Sequence, residues 1–535
     1  MTAKKSLFSA VLISAVAGTI GLAHAAEGET PALIADTPAA KGPIADVVWA
    51  LGKEPASLDP AQSNEFVINQ VLSNLCETLF VINPDFKVEN WLATGVTQPD
   101  DKTYLYKIRK DAKFWDGSPV TTADVAFSLQ RNLDPNVKSR WARYYINVDK
   151  VEAVDDETVK VTLKQPDIMF NSAMATAASA VIKKSHAEAN GNVIGTPQVA
   201  PMCSGPFKLT AWNTGSSIIL EKNKDYWNPT HAALADKFEF KFVVDTSAQV
   251  NGLITGQLQG MYGPTGTAIG ALKKATAGKL YFGKSFSNYQ LIPNMRPDAT
   301  SVAANEKIRQ ALSLAINRTA IAAKVFNGAA IPTISPAPSA AFSNMASANP
   351  NLEVPAIDLE KAKALVAEAG PIEKPLLLAY GARSDYEMLA SLIMDAGRKI
   401  GVPIELKAVP YDQYVAAFFD GKLRQNDFMM MTKNINMTDP LDFFSVFTPS
   451  FAALNFGHYD NPEVVDRIVK ARSETDEAKR SALISEAQNI IVREKAWIPL
   501  VEFTNALYMD GSITGAPASY VFPYYPWAAQ VGAAK

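Results

Sequence analysis

Cysteine and histidine are scarce: the 535 residues hold two of the first and four of the second. His24 falls in an N-terminal leader, and His186, His231 and His458 stand alone in the sequence. HExxH, CxxC and calcium-loop spacings are missing, so the chain lacks the local motifs of a metal site, and no metal or other cofactor is expected. A G-x-S-x-G nucleophile elbow is missing too, which disfavours the commonest hydrolase frame. Charge of one sign is not concentrated anywhere. The formal net charge is −3, more negative still without Lys4 and Lys5, and no basic block points to nucleic acid or an anionic membrane. Past the leader, no run reaches the ~20 apolar residues that a membrane-spanning helix needs.

What is present is an ordinary globular composition, 48% hydrophobic and 20% charged. Over this length it supports two or three domains with sizeable cores and excludes a chain disordered throughout. Lys4 and Lys5 precede an apolar run from Leu7 to Leu22, and Ala23-His24-Ala25 has the small-x-small pattern of a secretory cleavage site. The expectation is a cleaved signal peptide over 1–25, a mature chain from Ala26 and a periplasmic location. No cysteine stands at the cleavage point, so a lipid anchor is not expected. Residues 26–45, rich in Ala, Pro, Thr and Glu without periodicity, read as a flexible leader. In an oxidising compartment Cys76 and Cys203 either bond or stay as two separately buried thiols, and the sequence leaves both open.

The stretch Cys203 to Trp227, CSGPFKLTAWNTGSSIILEKNKDYW, organises the first half. Phe207, Leu209 and Ala211 alternate with polar neighbours, Asn213-Thr214-Gly215-Ser216 supplies a turn, and Ile218 and Leu220 resume the alternation, which predicts a hairpin. Strand alternation recurs at Tyr104, Tyr106 and Ile108, at Val159, Val161 and Leu163, and at Phe238, Phe240 and Phe242. Thr121-x-x-Asp124 is an acidic capping box for a helix carrying Val125 and Leu129. Past Ser285 strands and helices alternate. Leu376 to Tyr380, a helix opened by a Ser384-x-x-Glu387 box, and Ile404, Leu406 and Ala408 form a βαβ unit, which predicts a parallel sheet. Gly278 to Ser285 matches G-x-x-x-x-G-K-S literally. Leu280 to Phe282 is strand-like and no helix period follows, so the match is read as accidental.

These stretches also carry a resemblance. GPF at Gly205 to Phe207 with its hairpin and the DYW corner, the P-x-x-LDP wording at Pro55 to Pro60, and the FWDGSP segment from Phe114 with its Thr121-Ala-x-Asp124-Val continuation are similar to the family 5 solute-binding proteins of ABC importers. IRQALSLAINR from Ile308 and DLEKAKALVAEAG from Asp358 extend the likeness over nearly the whole mature chain. The resemblance implies an α/β fold of the periplasmic-binding-protein type II, with two lobes, an inserted subdomain and an interlobe cleft. The implied division is lobe I over 46–80, 201–288 and 499–535, the subdomain over 81–200 and lobe II over 289–498. Crossings between lobes are placed near Tyr289 to Asn294 and Ile498 to Phe503.

A carrier of this kind holds its solute where both walls contribute polar groups and closure excludes water. Gln62, Asn64 and Glu65, after the LDP wording, are placed at the cleft mouth by the resemblance. The loop Thr432 to Pro440 follows a strand aimed at the crevice. Peptide-binding relatives are similar there to W-x-x-D-x-x-[DE]-P, whose first Asp takes the ligand's ammonium. Here Lys433 and Asn436 occupy the Trp and Asp positions, so that trap is missing, and Lys433, Asn434 and Asn436 suit a hydroxylated or anionic ligand. Asp439-Pro440 reads as a helix N-cap. Tyr262 and Arg424 are further candidates, to donate or stack and to pair with a carboxylate. The function implied is a non-catalytic binding component, a monomer, that captures a small solute of peptide, opine or sugar-conjugate type and delivers it to an inner-membrane ABC permease. A secreted hydrolase, distinguished by turnover, and a peptide-holding chaperone, distinguished by low side-chain selectivity, are the alternatives.

Overall fold

The computed structural model describes residues 31–535 apart from 64, 300, 350, 351 and 421, and not the side chains of 412, 419, 420, 422 and 424. The expected signal peptide lies outside these residues. Alternating side chains in the first half build a seven-stranded mixed sheet. Its strands, edge to edge, are Gly278–Gly283, Asn505–Asp510, Gly260–Tyr262, Ile44–Leu51, Ala235–Phe242, Ser217–Lys222 and Phe207–Asn213. Ile44–Leu51 runs parallel to both neighbours, and the last two strands are the expected hairpin, turning at Gly215 with φ 75°. Trp49, Phe238, Tyr262 and Trp527 close over this sheet as an aromatic core with ring centroids 4.6 to 6.1 Å from Trp49.

The G-x-x-x-x-G-K-S stretch supplies the edge strand of that sheet. A Cβ on Gly283 would sit 2.2 Å from the Ala518 carbonyl, so this glycine serves a close backbone approach. Residues 31–43, expected to be flexible, instead lie against the C-terminal segment. Ile34 N donates to Phe282 O, Lys41 N to Ala533 O, and the Thr37 hydroxyl to Ala516 O. Satisfying its backbone groups along an existing edge orders a stretch that composition marked as polar and aperiodic.

The second sheet has six strands in the order Ala330–Pro332, Ile498–Phe503, Ser287–Pro293, Phe428–Asn434, Leu376–Gly381 and Ile404–Val409. The βαβ unit is present, with helix Ser384–Lys399 between two parallel strands. The sheet as a whole is mixed, since Ser287–Pro293 pairs antiparallel with both neighbours. Ser287–Pro293 is entered directly from the first sheet and Ile498–Phe503 leads directly back into it, so neither of these connections is a crossover helix that would enforce parallel pairing. The chain thus passes between sheets at 284–286 and at Thr504, just outside the two strands expected to make the crossing. Helix Ser384–Lys399 begins after Arg383, which makes no side-chain cap bond, so the expected Ser384 box does not form.

A four-stranded antiparallel sheet, Ala93–Asp100, Thr103–Ile108, Thr158–Leu163 and Val148–Ala153, forms the inserted part. The capping box of Thr121 and Asp124 opens helix Thr122–Gln130 beside it. Cys76 and Cys203 are bonded across 127 positions. Next to the bridge, the buried Glu77 carboxylate accepts from Trp91 Nε1, Trp227 Nε1 and the hydroxyls of Ser204 and Tyr226, at 2.7 to 3.0 Å. Burial raises the Glu77 pKa, and the four donors oppose that rise. Gly205 is required here: a Cβ would meet the Leu75 carbonyl at 2.4 Å.

Candidate functional site

The three bodies meet at one polar point. Strand Phe428–Asn434 is buried and apolar at Phe428, Met429 and Met430 and turns polar from Thr432 onward, where it is still paired with Ser287–Pro293. Ile435 and Met437 anchor the following loop, and Pro440, at φ −64°, opens helix Leu441–Phe444. Leu441, Phe443 and Phe444 are buried, which leaves Asp442 as the polar residue of that helix.

Asp442 Oδ1 accepts from the Tyr144 hydroxyl at 2.6 Å, and Oδ2 accepts from the Asn436 backbone N–H at 2.5 Å. Asn436 Nδ2 donates to the Tyr144 hydroxyl at 3.0 Å, and its Oδ1 accepts from the Tyr524 hydroxyl at 3.1 Å. Tyr144 comes from the inserted part, Asn436 and Asp442 from the second-sheet body, and Tyr524 from the C-terminal segment beside the first sheet. Arg143 donates to the Tyr144 hydroxyl at 2.9 Å, with its guanidinium 4.7 Å from the ring. Lys433 is half-buried. Burial lowers its pKa to about 8, with Arg143 pushing the same way and Asp442 opposing.

A second contact joins two of these bodies. Asp439 pairs with Arg480, and the Ser172 hydroxyl of the inserted part reaches Asp439 Oδ2 at 3.4 Å. Asp439 also accepts from Leu441 N at 3.0 Å. Pro440 takes the N-cap position itself, so the expected Asp439 cap is a local turn bond inside an ion pair.

Of the residues singled out from the sequence, Lys433 and Asn436 come together here. Asn434 does not: it alternates away from Lys433 and accepts from the Ser287 hydroxyl at the sheet end. Gln62 Nε2 donates to the Val137 carbonyl at 2.7 Å, and Glu65 pairs with Lys53. Asn64 lies outside the described residues. Arg424 falls in the short helix Lys422–Gln425, and its side chain is not described. Tyr262 lies elsewhere. It is buried in the first-sheet core, stacked on Phe522 at 4.1 Å, and its hydroxyl donates to the Pro517 carbonyl. Arg143, Tyr144, Asp442 and Tyr524 were missed. Asp442 sits one turn past Asp439-Pro440, so following the helix from its start would have found it. Tyr144 lies 298 positions from Asp442, and no local signal links them.

Two α/β bodies joined by paired crossings, with a polar junction where a separate four-stranded sheet meets them, define a type II periplasmic-binding-protein fold. The chain belongs to the bacterial extracellular solute-binding proteins, family 5, whose middle region matches residues 87–455. It is 30% identical over 469 residues to the glutathione-binding protein GsiB of Escherichia coli (strain K12), covering 85% of this chain and 88% of that one. Among solved structures, it superposes on the periplasmic binding protein DppA from Helicobacter pylori in complex with the peptide STSA. The TM-score is 0.77 at 24% identity, over 92% of this chain and 99% of that one. It also superposes on AgaA of A. tumefaciens R10 in complex with agropinic acid, with TM-score 0.75 at 23% identity over 91% and 98% of the two chains. The protein is accordingly a solute-binding component of an ABC importer.

Proposed function

We propose that this protein works in the periplasm as a monomer, after loss of its signal peptide. It closes on a small solute of peptide, opine or sugar-conjugate type and hands it unchanged to an inner-membrane permease. One observation carries the reading: Tyr144, Asn436, Asp442 and Tyr524, from three separate bodies, share one hydrogen-bond network at their junction. A solute that bridges those bodies binds the closed arrangement better than the open one and shifts the equilibrium toward it. The permease then recognises the closed shape. GsiB, DppA and AgaA, with glutathione, a peptide and agropinic acid in their names, set the solutes to try first.

Calorimetry on the mature chain with glutathione, short peptides and opines, paired with small-angle scattering, tests this. Binding is expected to contract the particle, and chromatography of the recovered solute is expected to show it intact. Consumption of the bound solute, or dimensions unchanged by every solute that binds, would refute the proposal.

A further inference from the structure

We propose that Lys433 and Arg143, brought to the polar junction by the second-sheet body and the inserted part, grip a carboxylate of the captured solute. This rests on the junction being the solute site. Lys433 comes from the strand Phe428–Asn434 and Arg143 from the short helix Ala142–Tyr144 of the inserted subdomain. Arg143 reaches Asp442 through the Tyr144 hydroxyl, and Lys433 stands three residues before Asn436, whose backbone N–H donates to the same carboxylate. The charges of Arg143 and Asp442 both act on Lys433.

That carboxylate is already engaged. Both Asp442 oxygens accept hydrogen bonds, from Tyr144 and from the Asn436 backbone. Glu502, two strands across from Lys433, is held by the backbone N–H and hydroxyl of Ser339. Among the described residues, the Lys433 ammonium makes no hydrogen bond or ion pair, and Arg143 donates only to the Tyr144 hydroxyl. A half-buried ammonium without a partner beside a second cation is unfavourable alone. An incoming carboxylate supplies the missing acceptor, and Asn436 and Tyr524 are placed to read polar groups next to it.

Anion binding has a proton signature. Unliganded Lys433 is held down to about 8 by burial and by Arg143, against the opposing pull of Asp442. A carboxylate beside it favours the charged form, so binding near pH 8 takes up part of a proton, and affinity falls as pH rises above that value.

The test uses matched probes on the mature chain: glutathione and its dimethyl ester, agropinic acid and its methyl ester, alanylalanine and its amide. For the pair that binds, the free acid is expected to bind about 30-fold more tightly, the range of a charge-assisted contact. Lys433→Met should shrink that gap to about threefold or less and abolish proton uptake in buffers of different ionisation enthalpy, and Lys433→Arg should restore the gap. Thermal melts of both variants verify that they fold. Neutral and acid forms binding alike, or a gap that survives Lys433→Met, overturns the anion site and leaves the solute-binding reading standing. No binding and no contraction with any probe overturns both.

Discussion

Arg472 of helix Pro462–Ser473 holds Asp167 of the inserted part in a two-pronged ion pair, Nε to Oδ1 at 2.8 Å and Nη2 to Oδ2 at 2.6 Å. Asp167 also accepts from Asn147 Nδ2 and from its own helix at Met169 N, and its side chain is fully buried. The pair joins the inserted part to the second-sheet body, the same two bodies that Tyr144 and Asp442 link at the polar junction. Arg472→Met strands a buried carboxylate, at a cost of roughly 3–5 kcal/mol to the closed arrangement. The expected outcome is a more open particle by scattering and solute affinity lowered about tenfold or more. The double variant Asp167→Asn with Arg472→Met should recover part of the loss. Unchanged affinity in Arg472→Met would show that the contact does not participate in closure.

The Cys76–Cys203 bridge closes a 127-residue separation. Chain-entropy reasoning gives about 5 kcal/mol for a loop of that length. Melts of Cys76→Ser with Cys203→Ser, or of wild type under reductant, should show a large fall in melting temperature. Non-reducing peptide mapping should recover the linked pair.

Glu77 gathers four side-chain donors into one buried point. Glu77→Ala leaves Trp91, Trp227, Tyr226 and Ser204 without their acceptor, an expected loss of roughly 3 kcal/mol or more by denaturant unfolding. A loss below about 1 kcal/mol would mean that water replaces the carboxylate there.

Tyr262→Phe separates a core role from a binding role. Loss of the 2.8 Å bond to the Pro517 carbonyl should cost about 1 kcal/mol of stability. Solute affinity should stay within about twofold, since the residue does not face the junction.

His231 stacks edge-on against Trp91 at 4.8 Å and shares a 3.1 Å hydrogen bond with Tyr525. Burial lowers its pKa below the usual histidine value, with Glu89 opposing. A depressed folded value means that its contribution is present above about pH 6.5 and is lost as pH falls through the folded pKa. Wild-type melting temperature should drop more between pH 7 and pH 5 than that of His231→Gln.

Much of the architecture was legible because its cause is local. The alternation of Phe207, Leu209, Ile218 and Leu220 specified a hairpin, and the Thr121 and Asp124 box opened its helix where expected. That Lys433 and Asn436 lie close together follows from their three-residue spacing at the end of one strand. The mixed second sheet, the ordered 31–43 stretch and the core position of Tyr262 were not, because each depends on which distant strand edge or ring arrives beside it.

By itself, then, the order of residues determined the elements, the family and the departure at Lys433 and Asn436, since turn chemistry and side-chain period act over a few positions. Only the tertiary structure decided that Cys76 bonds Cys203, that Glu77 is shared by four donors, and that Tyr144, Asp442 and Tyr524 converge on Asn436. Those pairings join points far apart in the chain, and nothing but the packing of whole bodies brings them within hydrogen-bonding reach.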